Sequence, residues 1–177
     1  PMPGGKAAIE KPYRMALSYL LKVFGDEVLS MGLPFLRGID RDEISLIRQQ
    51  IERRINTPDT SSCGRLFDAV SALLGIRVEG DYEGQAAVEM ESLADAGVDA
   101  GYPFEIIEKN GARVVSFDNM FRSIMNDLVS KTSVSFIAGR FHATIADAVL
   151  TVCRMLMKEN GINKVALSGG VFQNRML

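Results

Sequence analysis

The chain has 177 residues, 47% of them apolar and 24% charged, with 20 Lys and Arg against 22 Asp and Glu. This mixture supports a buried core under a polar surface and excludes disorder, a collagen repeat and a coiled coil. A net charge of −2 and a pI near 5.5 supply no basic field for counterion-release binding, so nucleic acid is not an expected partner.

Residues 1–12, PMPGGKAAIEKP, read as loop because of their prolines and Gly pair. From Tyr13 the residues Met15, Ala16, Tyr19, Leu20 and Val23 recur at helical spacing, with Gly25 as the stop. Asp40 as N-cap and Glu43 three positions later have the spacing of a capping box. Ile44, Ile47, Ile51 and Ile55 follow at helical steps until Asn56-Thr57-Pro58. A further helix is expected from Gly64 to Leu74, closed by Gly75. GDYEGQ reads as a loop, and the small and apolar run from Ala86 to Ala94 as a closely packed helix ending at Gly97.

Around Pro103 the pattern changes. Phe104 and Ile106, then Val114, Val115 and Phe117, flank Asn110-Gly111, which predicts a hairpin with a loop of two or more residues. Asp118 is expected to cap a helix through Val129. A long helix over Val134 to Glu159 should bury a stripe of Ile137, Phe141, Ile145, Val149, Val152 and Leu156, ending at Asn160-Gly161. Lys164 to Leu167 reads as a short strand entering Ser168-Gly169-Gly170, and Asn174 to Leu177 as the start of another helix.

Few residues are suited to chemistry. The chain has one His and two Cys. Cys63 and Cys153 are far apart without a CxxC spacing, which points to reduced thiols and a cytoplasmic protein rather than to zinc or disulfides. No uninterrupted apolar run approaches the roughly 20 residues of a bilayer span, so no membrane partner is expected. His142 has no nearby ligand partner in sequence and reads more readily as a packed helix histidine than as a catalyst.

Three local patterns suit a nucleotide. In SGGV, paired glycines admit a phosphate or sugar to backbone N–H groups, although the same glycines also serve plain turns. Arg65 and Asp68 share a helical face, where Asp68 suits a pair of ribose hydroxyls; from spacing alone a solvated ion pair is the commoner outcome. Gly84 opens a helix and suits a backbone contact, or a simple turn.

The blocks PMPGGKAAIEKPYRMALSYL, TSSCGRLFDAVSALLG, YEGQAAVEME, GRFHATIADAV and VALSGGVFQNRML, in this order, resemble the C-terminal domain of the hydrogenase maturation carbamoyltransferases, the HypF family. That domain is similar to the tRNA threonylcarbamoyl transferases. The resemblance implies a helix-rich α/β fold, a partial lobe of the actin-like, sugar-kinase-like ATPase fold, with residues 1–177 forming a single partial domain. It implies a part in moving a carbamoyl group from carbamoyl adenylate, made from carbamoyl phosphate and ATP, to the C-terminal cysteine of a HypE-type acceptor protein.

Carried over residue by residue, the resemblance places Asp68 on the nucleoside and Gly84 beside it. Ser168, Gly169 and Gly170 fall at the nucleotide, and Asn174 at its ribose or base. The metal ion of the related transferases is held by a histidine pair and an aspartate that match nothing in this stretch. The chain is therefore expected to be part of a longer enzyme and inactive by itself. Two other readings stay open: a helical docking module without nucleotide chemistry, and a sugar-kinase or chaperone-type ATPase lobe.

Overall fold

Helical spacing of apolar residues becomes seven α-helices in the computed structural model, which describes residues 1–177. They are α1 (Ala7–Glu10), α2 (Pro12–Phe24), α3 (Arg41–Arg53), α4 (Cys63–Leu73), α5 (Gln85–Leu93), α6 (Asp118–Val129) and α7 (Val134–Asn160). Strands β1 (Glu105–Lys109) and β2 (Ala112–Ser116) form the whole sheet, an antiparallel pair. Tertiary contacts gather into two units, residues 1–92 and 93–177.

The first unit is built on α2 packed against α4. Met15, Leu17 and Leu20 of α2 and Phe67 and Val70 of α4 are almost fully buried, and truncating a side chain such as Phe67 would cost about 3–5 kcal/mol. Residues 1–12 are not all loop. Gly4 and Gly5 turn the chain with φ of 83° and 56°, after which Ala7 and Ala8, good helix formers, begin the single turn α1.

This first segment is pinned along its length. Met2 N–H donates to the Pro58 carbonyl at 2.8 Å and Gly4 N–H to that of Asn56 at 2.9 Å. Arg14 Nη1 reaches the Pro3 carbonyl at 3.2 Å, and Ser18 Oγ that of Pro1 at 2.8 Å.

The capping box expected at α3 is half formed. Asp40 Oδ1 accepts from Asp42 N–H at 2.9 Å. Glu43 does not turn back to the cap; it pairs with Arg14 and accepts from Tyr13 Oη at 2.9 Å. A charged partner on α2, itself 93% buried, outcompetes a solvent-exposed backbone N–H.

In the second unit the hairpin pairs Lys109 with Ala112, so the loop is the two residues Asn110 and Gly111. Both have positive φ, 52° and 74°, the requirement of a turn whose twist matches the strands. Phe117 takes the N-cap position expected for Asp118, and Asp118 is the first residue of α6, where its charge suits the helix N-terminus. Helix α7 ends at Gly161, φ 67°, as expected. By length and composition α7 could cross a membrane, yet its first half is core: Ile137, Phe141, His142 and Ile145 are buried. The buried stripe stops at Ala148 rather than continuing to Leu156, which is exposed.

Lys164 to Leu167 is not a strand. Val165 and Leu167 are more than half exposed, and their segment does not join the two-stranded sheet. The predicted helix from Asn174 is also absent. The backbone forms one 3-10 turn over Gly170–Gln173, after which Asn174 Oδ1 accepts from Met176 N–H at 2.9 Å. That local bond competes with helix formation.

Candidate functional site

Asp68 lies on α4 with 96% of its side chain buried, beside Arg65, which is 93% buried. The spacing foretold the pairing but not this burial; the solvated pair expected from spacing alone is not what forms. Arg65 Nε stands 2.9 Å from Asp68 Oδ2, close enough for an ion pair but off the line of a hydrogen bond. Neither of these atoms has a hydrogen-bond partner, nor do Arg65 Nη1 and, one turn along, Ser71 Oγ.

Burial pushes the Asp68 carboxyl up to about 6, against the pull of Arg65, with Glu83 adding repulsion. Buried polar atoms without partners cost about 1–3 kcal/mol each. Several on one helix face are therefore a costly feature for packing alone to retain, and they fit a polar ligand.

The YEGQ loop approaches the same helix. Arg65 Nη2 stands 4.0 Å from Glu83 Oε1, the residue next to Gly84. The loop is held by Gln85, which is buried: its Oε1 accepts from Asp81 N–H at 2.7 Å and its Nε2 donates to Glu89 Oε1 at 2.9 Å. Gly84 has φ 88° and its carbonyl accepts from Ala87 and Val88 N–H, opening α5. A Cβ built there meets nothing within 4 Å, so the backbone angle, not crowding, requires glycine. Within the first unit, Arg65 thus links Asp68 to the Gly84 loop.

The remaining predicted residues belong to the second unit. Ser168, Gly169 and Gly170 are exposed; Gly169 has φ 93°, and both glycines have open space where a Cβ would be. Asn174 is half-buried, and its amide donates to His142 Nε2 at 3.1 Å. His142 has no exposed surface, and its Nδ1 lies 2.7 Å from the Ala138 carbonyl. Sequence reasoning missed this pairing: 32 positions separate the two residues, and no local pattern signals it. It also missed Ser71, whose i+3 spacing from Asp68 was the available clue. No three His, Cys, Asp or Glu side chains converge to hold a metal ion, so the residues of this chain do not fit one.

A family model described as carbamoyltransferase, Kae1-like domain, second subdomain, matches residues 1–177. The chain belongs to the HypF carbamoyltransferase family. It is 33% identical to the carbamoyltransferase HypF of Synechocystis sp. over 97% of its length. It is 30% identical to a probable carbamoyltransferase HypF of Methanocaldococcus jannaschii over 98%. A crystal structure of full-length HypF in its phosphate- and nucleotide-bound form superposes with a TM-score of 0.88 at 40% identity, covering 98% of this chain and 26% of that one. The chain spans 23% and 22% of the length of the two curated relatives. The helix-rich α/β fold class, a partial lobe of the actin-like ATPase type, holds.

Proposed function

We propose that this chain supplies part of the nucleotide site at which a HypF enzyme moves a carbamoyl group from carbamoyl adenylate to the C-terminal cysteine of a HypE-type acceptor. The observation that carries the reading is Asp68: a buried carboxylate with an unpartnered oxygen, in a chain whose family transfers carbamoyl groups. Two accepting oxygens match the paired hydroxyls of a ribose.

In the transfer the cysteine sulfur bonds to the carbamoyl carbon while the bond from that carbon to the phosphate oxygen breaks, so AMP leaves and a thiocarbamate remains. Catalysis then depends on holding the carbonyl in line with the thiolate. In the first unit Asp68 contributes acceptors for ribose hydroxyls and Gly84 room beside the backbone; in the second unit Asn174 contributes a polar amide and Gly169 and Gly170 an open backbone. The related transferases' metal would be held by residues other than these. The proposed setting is the cytoplasm.

The test uses the full-length protein that carries this chain, with labelled carbamoyl phosphate, ATP and an acceptor-tail peptide. Asp68→Ala and Asn174→Ala should lose transfer to the peptide while carbamoyl phosphate hydrolysis persists. Wild-type transfer by both variants would overturn the site.

A further inference from the structure

We infer that His142 is a positioning residue for nucleotide binding: it fixes the side-chain amide of Asn174 in the orientation that meets the ligand. The inference rests on the assignment of Asn174 to the nucleotide and extends it to a residue with no assigned role.

The geometry determines every proton in the relay. The Ala138 carbonyl can only accept, so His142 Nδ1 carries a hydrogen and donates to it at 2.7 Å. Nε2 of the neutral ring is then an acceptor, and the Asn174 amide nitrogen donates to it at 3.1 Å. An amide can be placed two ways round, but here the backbone decides: Met176 N–H donates to Asn174 Oδ1 at 2.9 Å. The oxygen is thereby held away from His142 and the nitrogen toward it.

A chain of bonds therefore runs from the backbone of α7 through His142 and Asn174 to the backbone beyond the SGGV turn. What Asn174 retains for a ligand is one N–H and one lone pair, in fixed directions. No other imidazole exists in the chain, and this one is fully buried with its ring edge-on to Phe141, centroids 5.7 Å apart. A buried ring locked at both nitrogens sets its partner's direction with little loss of entropy on binding.

The experiment is a double-mutant cycle in the full-length protein with AMP as the probe. Asn174→Ala and His142→Leu should each weaken AMP binding about fivefold, and the double variant no further than Asn174→Ala alone. His142→Gln, whose amide oxygen replaces the acceptor, should restore most of the affinity. The imidazole 15N resonances that vanish in His142→Gln identify the ring. They should show a hydrogen on Nδ1, and Asn174→Ala should shift the Nε2 signal.

If Asn174→Ala leaves AMP affinity unchanged, the nucleotide assignment falls and this inference with it. If Asn174→Ala weakens binding and His142→Leu does not, or the two effects add, only the positioning role falls. Should His142→Leu fail to fold, the spectrum decides: a hydrogen on Nε2, or an Nε2 signal indifferent to Asn174→Ala, overturns it.

Discussion

Replacing Asp68 by Asn separates what the carboxylate does for the fold from what it does for a ligand. Burial raises its pKa from 3.8 to about 6 despite Arg65, so the folded state binds this proton more tightly than the unfolded chain. The linkage sign follows: the contribution to stability falls as pH rises from about 4 to about 6 and is constant above. At 1.36 kcal/mol per pH unit the displacement amounts to about 3 kcal/mol. Because the Arg65 attraction is already contained in the net displacement, neutral Asn mimics the protonated acid. Asp68→Asn should be more stable than wild type by up to about 3 kcal/mol at pH 7 and equal to it near pH 4. Urea unfolding of both proteins at steps from pH 4 to 7.5 measures the difference, from which the titrations of groups not coupled to Asp68 cancel. The same variant should lose AMP binding. A variant less stable than wild type at pH 7, or a difference that does not change between pH 4 and 7, refutes the reasoning.

The other expectations are smaller in scope. A Cβ at Gly139 in α7 would collide with the Asp95 carbonyl oxygen, with Val98 also crowding it. Overpacking costs of about 1–3 kcal/mol should exceed the gain in helix propensity of about 1 kcal/mol, so Gly139→Ala should lower Tm; an unchanged or raised Tm would contradict the close approach. Cys63 has its thiol pushed up to about 11 by burial, leaving a thiolate fraction of about 0.001 at pH 8. Iodoacetamide at that pH should modify it far more slowly than a cysteine in a short peptide, as read by mass spectrometry. Equal rates would show the thiol to be open.

Secondary structure was legible where its signal was local. The apolar steps of α2, α4 and the first half of α7, the Asn110-Gly111 turn and the stop at Gly161 depend on a few neighbouring residues, and they formed as expected. Misreadings arose where a distant group intervened or was missing. Glu43 was drawn from its cap by Arg14, 29 positions away. Val165 and Leu167 have strand propensity, yet their segment does not join the β1–β2 pair. At the candidate site, the spacing of Arg65 and Asp68 showed that they meet, while their burial depends on packing that no three-residue pattern records. His142 looked like packing, and it is packed; its second nitrogen acquires a role only because the chain returns 32 residues later with an amide.

The bonds from Met2 and Gly4 to Pro58 and Asn56 also have a topological side. They make the opening stretch a ring of roughly 56 residues whose ends already touch, so the entropy of closing it burdens folding rather than the native state. A covalent bridge at that junction, placed without distorting it, would remove the burden from the unfolded chain and stabilise it by about 4 kcal/mol. It would leave the α4 face that carries Asp68 unaltered, and so offers a way to stiffen the scaffold without touching the candidate site.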